Sequence, residues 1–164
     1  MRENGYSYND YLKLTRAYLK NLPFYRRAAD NLEMDIRDAR EQLKEITVRA
    51  VSYEGVSGGT GELTPTERAA EARLRSAERI SSQELEYRAL RNQCKRLELA
   101  IETLPPEERE AIELIYFEHF SYAAMARRLF LSERTCKRRL NQGVQKIAVM
   151  LFGLKAEERI LFVS

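Results

Sequence analysis

Between Tyr25 and Ile46 the chain places Tyr25, Ala29, Leu32, Ile36, Ala39, Leu43 and Ile46 in steps of four and three without a slip. On a helix that alternation draws one narrow apolar stripe, and such a stripe needs a partner helix to cover it. A second stripe follows at Tyr87, Leu90, Cys94, Leu97, Ile101 and Leu104, again alternating three and four. Between the two, residues 52–64 carry Gly55, Gly58, Gly59 and Gly61, which reads as a flexible loop. A glycine cluster can cradle phosphate, but this one follows no strand and lacks the Lys-Ser/Thr of a P-loop. Two seams joined by a glycine loop predict an antiparallel helical hairpin over residues 1–103, coiled-coil-like in its packing.

The second helix has a clear start in Thr64, Pro65 and Glu67: an N-cap, a proline at the first position and a capping-box acid. Its early half carries Ala70, Leu74, Ala77 and Ile80, whose steps predict a phase slip near Ile80. At about 1.5 Å per residue it would be roughly 60 Å long, against about 40 Å for the first. The excess seam therefore calls for another partner: the N-terminal segment, the C-terminal tail or a second chain. The same seams fit a hairpin within one chain or a four-helix homodimer.

Ahead of the first seam, Ser7 to Asp10 reads SYND and opens a short helix expected to reach about Lys20. Tyr8, Tyr11, Tyr18 and Leu22 share one face, a spacing that favours packing over stacking on bases. Pro23 is expected to end this helix, because the residue before a proline is pushed away from helical geometry.

An apolar fraction of 44% in 164 residues supports a core, while 32% charged residues with few glycines and prolines fit long exposed helices. Cys94 and Cys136 lie on apolar stripes without CxxC or CxxH company, so they read as core thiols, with no metal site or disulfide framework. The longest apolar run, Ile147 to Phe152, is far short of the ~20 residues that span a bilayer, and no signal peptide opens the chain. A cytoplasmic protein without membrane contact is expected.

The most informative stretch is Phe120 to Leu140, FSYAAMARRLFLSERTCKRRL. It divides into a short helix opened by Ser121, a corner at Phe130 and Leu131, and a second helix with Ser132 as N-cap. Ahead of it Leu104, Pro105 and Pro106 end the long helix and start another. Glu107 and Glu108 occupy its first turn, and Ala111, Ile112, Leu114, Ile115 and Phe117 should bury its body. Residues 104–153 thus predict a three-helix domain holding a helix-turn-helix. In the last helix Cys136, Leu140, Val144, Ile147 and Leu151 form an inward stripe, while Arg134, Lys137, Arg138, Asn141 and Gln145 share the opposite face. A basic, amide-bearing helix face suits a major groove, where Arg and Lys grip guanine and Asn and Gln grip adenine.

The segment TLPPEEREAIELIYFEHFSYAAMARRLFLSERTCKRRL resembles the promoter-binding domain, region 4, of bacterial sigma factors, over about a quarter of the chain. The whole chain resembles phage transcriptional regulators of the ArpU and RinA type, which carry a helical front half before this domain. The resemblance implies base reading by Glu133, Arg134, Lys137 and Arg138, and phosphate contacts by Arg127, Arg128 and Arg139. The outward face adds Asn141 to the base readers. Ser132 and Thr135 at the helix N-terminus, with Lys146, complete the phosphate set. Two positions depart from the family's pattern: Phe130 stands where the corner usually holds glycine, and His119 where a small residue is common.

Charge supports the same direction. Residues 121–155 hold eight Lys or Arg and one acid, Glu133, a net of +7; the chain totals +3, so the remainder sums to −4. A positive potential this local is a nucleic-acid footprint. Catalysis finds little support, since the single His119 has no evident Ser, Cys or carboxylate arrangement to act with, and nothing asks for a cofactor or metal. The sequence therefore predicts a non-enzymatic regulator that binds double-stranded DNA, by resemblance an activator of phage or prophage genes. One recognition helix reads only a few base pairs, so specificity needs a second copy or a hold on RNA polymerase. A coiled-coil adapter whose basic bundle binds an acidic protein is the alternative. After Gly153 the tail, 154–164, ends in Ile160, Leu161, Phe162 and Val163, which are expected to dock on the hairpin or on another subunit.

Overall fold

The computed structural model describes residues 7–52 and 65–157. Among them the chain is all α, with no strand: helices α1 (Tyr8–Ser52), α2 (Pro65–Glu102), α3 (Pro106–Ile112), α4 (Tyr122–Leu129) and α5 (Glu133–Phe152). A π-helical turn, Glu113–Phe117, extends α3, and a 3-10 turn, Gly153–Ala156, follows α5. The glycines at 55, 58, 59 and 61, the cap Thr64 and the apolar residues 160–163 lie outside the described residues. No helix among the described residues is long and apolar enough to cross a membrane.

Two compact units are formed: one by the chain up to Phe24 together with that from Gln93 onward, the other by Tyr25–Asn92. The second unit is the hairpin, in which α1 and α2 pack together. Arg40 donates to Glu84 across 2.6 Å, and Arg73 donates to the carbonyl of Thr47 across 3.1 Å. Rising numbers on one helix meet falling numbers on the other, so the pair is antiparallel. Its core is thin: Ile36, Ala39 and Ile80, with Leu43 and Tyr87 packed against them. The seam predicted on α1 from Tyr25 to Ile46 is buried or half-buried at every position. Arg91 adds a cation over the Tyr87 ring, 5.9 Å from its centre.

On α2 the expected phase slip is absent. Ala70, Leu74 and Ala77 are exposed, Leu74 by 61%, whereas Ala69, Arg73, Ser76, Ile80, Gln83 and Tyr87 are turned inward. Those residues keep the four-three alternation unbroken through Leu90 and Cys94. Polar residues occupy three of the seam positions, so apolarity alone placed the stripe one residue off.

In the other unit the first helix does not stop at Lys20. α1 runs through Pro23. A proline inside a helix removes one backbone hydrogen bond and costs about 3 kcal/mol. Its own side chain is exposed here, while the preceding Leu19 and Leu22 are completely buried. Burial of each such leucine contributes about 1.5–3 kcal/mol, so packing on one face offsets the lost bond on the other. The helix opens as expected: the Ser7 amide and hydroxyl both donate to Asp10 Oδ2, across 2.9 and 2.8 Å. These bonds, the hydroxyl's first, hold the Asp10 carboxyl below its ordinary value. Tyr11 and Tyr18 lean on Phe152 with ring centres 5.1 and 6.2 Å away, which places both in packing roles. Arg96 of α2 donates to the carbonyl of Leu151 across 2.6 Å.

Pro105 and Pro106 separate α2 from α3 as expected, with Pro106 in the first turn and Glu107 and Glu108 beside it. Ala111, Ile112 and Leu114 are buried, so this face meets the inward stripe of α5. Gly143 lies at that crossing. A Cβ there would stand 3.3 Å from Ile112 Cγ1 and 3.5 Å from both Cβ and the carbonyl oxygen of Glu108. The absence of a side chain lets the two helices approach this closely.

Candidate nucleic-acid interface

The interface is built on α4, the corner and α5. Ser121 caps α4 by accepting from the Ala124 amide across 3.2 Å, and Met125 of the same helix is fully buried. The helix ends at Phe130, which adopts left-handed geometry (φ 53°, ψ 42°). The next amide, of Leu131, donates back to the Ala126 carbonyl across 3.0 Å and closes the turn. Ser132 returns to extended geometry and accepts from the Thr135 amide across 3.2 Å, capping α5. Its hydroxyl also lies 2.9 Å from that of Thr135.

Both positions that depart from the glycine or small-residue pattern prove to be the described non-glycine residues at positive φ, His119 at 57° and Phe130 at 53°. The corner keeps the backbone geometry that a glycine would adopt freely, with a phenylalanine bearing the steric cost. Phe130 is 95% exposed, so its ring gains nothing from burial.

α5 divides as its periodicity predicts. Cys136, Leu140, Val144, Ile147 and Leu151 are buried, and Glu133, Arg134, Lys137, Arg138, Asn141 and Gln145 are exposed. Arg127 and Arg128, also exposed, stand on the last turn of α4, where the negative end of the helix dipole favours cations. The remaining basic residues are engaged. Arg139 meets Glu107 at 2.8 Å and Lys146 meets Glu108 at 2.6 Å, so these two cations bind α5 to the first turn of α3. Lys137 sits over the Tyr122 ring, 5.0 Å from its centre, a cation–π contact between α5 and α4.

One residue on this face comes from far away in sequence. Arg16 of α1 donates to Asn141 Oδ1 across 3.1 Å. The phenol of Tyr116 is raised above its ordinary value by burial and drawn back by the charge of the same guanidinium. Sequence periodicity gives no sign of Arg16, because 125 residues separate it from its partner. Gly143, in contrast, carried a local sign: a glycine set among inward positions of a helix. Among the described residues no cluster of three or more His, Cys, Asp or Glu could hold a metal ion.

A family model for sigma-70, region 4, a helix-turn-helix DNA-binding region, matches residues 94–147. It covers 54 of the 164 residues, from the final turns of α2 through α3 and α4 into α5. No curated protein and no solved structure matches the chain.

Proposed function

We propose that the chain is a sequence-specific transcriptional regulator that lays α5 in the major groove of double-stranded DNA. The observation that carries this is the outer face of α5. Glu133, Arg134, Lys137, Arg138 and Asn141 stand exposed in line, backed by a buried stripe, within the segment that matches sigma-70 region 4. Arg and Asn side chains so placed can make paired hydrogen bonds to guanine and adenine edges, and Glu can accept from cytosine. Arg127 and Arg128 beside the corner supply phosphate contacts, and the first amides of α5, with the Ser132 and Thr135 hydroxyls beside them, add further donors. Arg139 and Lys146 belong to this set only by exchanging the α3 carboxylates for phosphates.

By resemblance to the ArpU and RinA type the regulated genes are those of a phage or prophage, and regulation is activation. RNA polymerase is then a second partner, and the hairpin, with its exposed charged surface, is the surface for that contact or for a homodimer. Selection of bound duplexes from a random library tests the reading. A recurring motif of a few base pairs per α5 is expected. Uniform recovery of all sequences would leave the basic bundle as a surface for an acidic protein instead.

A further inference from the structure

Arg16 lies outside the segment that matches the DNA-binding family, yet it touches the face proposed to read bases. Leu12, Thr15 and Leu19 are buried on the same helix and fix the backbone that carries it. Its guanidinium donates to the amide oxygen of Asn141 across 3.1 Å, and its charge is felt by the phenol of Tyr116. A guanidinium has five donors and no acceptor. Asn141 therefore has to turn Oδ1 toward Arg16, and its NH₂ group is directed to the other side.

That orientation matters for base choice. Adenine is recognised by an Asn that offers oxygen to the N6 amino group and NH₂ to N7 at once. An Asn whose oxygen is held against an arginine keeps one free lone pair there, but it is turned to that side and the NH₂ group leads on the other. It then suits an edge made of acceptors, and guanine, with O6 and N7, presents two. We propose that Arg16 is a positioning residue for base selection: through Asn141 it shifts one position of the target from adenine towards guanine. The inference rests on the major-groove reading above and extends the reading surface to the N-terminal helix.

The test is library selection on the full chain with Arg16→Met, Arg16→Gln, Asn141→Ala and the Arg16→Met/Asn141→Ala double variant. Circular dichroism would confirm that each folds. Gln keeps a polar side chain beside Tyr116 and can accept as well as donate, so it guards against loss of folding in the Met variant. Both Arg16 variants should raise adenine over guanine by roughly tenfold at the position that Asn141→Ala also alters, leaving the others unchanged. The double variant should match Asn141→Ala at that position. Unaltered preference in the Arg16 variants would overturn the proposal alone. So would an equal loss for all sequences with a salt slope shallower by about one, the mark of a phosphate contact. A wild-type protein that enriches no sequence overturns both this inference and the reading on which it rests.

Discussion

Lys146 on the flank of α5 donates to Glu108 in the first turn of α3 across 2.6 Å, and Glu108 is the more enclosed partner, its side chain 11% exposed against 50% for the lysine. The other carboxylate oxygen of Glu108 is buried without a hydrogen-bond partner among the described residues. The pair therefore has a structural role beside the exposed face of α5: it holds the helix that buries the back of α5.

Removing the lysine would leave that carboxylate enclosed and uncompensated. Lys146→Met is expected to destabilise the fold by about 1–2 kcal/mol, less than a fully buried pair would lose because the ammonium is half in water. Urea unfolding followed by circular dichroism measures it. A midpoint equal to wild type would show that solvent already screens the pair.

Phe130 pays for left-handed geometry and receives no burial in return. Phe130→Gly should raise stability by about 0.5–1 kcal/mol, the relieved steric cost less the entropy of a freer unfolded chain. Phe130→Ala keeps a Cβ and should change little. Thermal unfolding of the pair separates a backbone effect from a loss of ring contacts.

Gly143 is enforced by the approach of α3. An alanine gains helix propensity but must displace Ile112 Cγ1 from 3.3 Å, so the two effects oppose each other. A branched side chain has no such balance: Gly143→Val should cost about 1–3 kcal/mol, read from the urea midpoint. Because the crossing also orients α5, its affinity for a selected duplex should fall as well.

On DNA, individual cations should separate by role. Arg138→Ala is expected to cost about 1–3 kcal/mol of binding and relax preference at one base position, whereas Arg127→Ala should weaken all sequences alike. With about five phosphates neutralised, raising salt from about 50 to about 200 mM should lower affinity several hundredfold. Fluorescence anisotropy with selected and scrambled duplexes would read both effects.

The half-buried phenol of Tyr116 makes stability depend on pH at the alkaline end. Its proton is held more tightly folded than unfolded, chiefly by burial, so its contribution is fully present below the ordinary tyrosine value near 10.0. It should be lost as pH rises through the higher folded value. Tyr116→Phe should flatten that part of a stability–pH curve, and an unchanged slope would assign it to other groups.

Much of this architecture was written in local pattern. The seam from Tyr25 to Ile46, the caps Ser7, Ser121 and Ser132, the Pro105–Pro106 break and the inward stripe of α5 each follow from spacing or from one residue's hydrogen-bonding chemistry. Where polar residues took seam positions, at Arg73, Ser76 and Gln83, apolar counting misplaced the register of α2. Pro23 misled in the opposite sense, since local preference predicted a break that the buried Leu19 and Leu22 before it override.

For the proposed reading face, sequence alone determined which residues share the exposed side of α5, because helical periodicity is a property of the backbone and needs no neighbour. Tertiary structure decided which of those residues are already engaged: Arg139 and Lys146 by acids of α3, Lys137 by the ring of Tyr122, and Asn141 by an arginine 125 residues away. Charge and hydrogen bonding act through space, and the distances that set them arise only when the helices have packed.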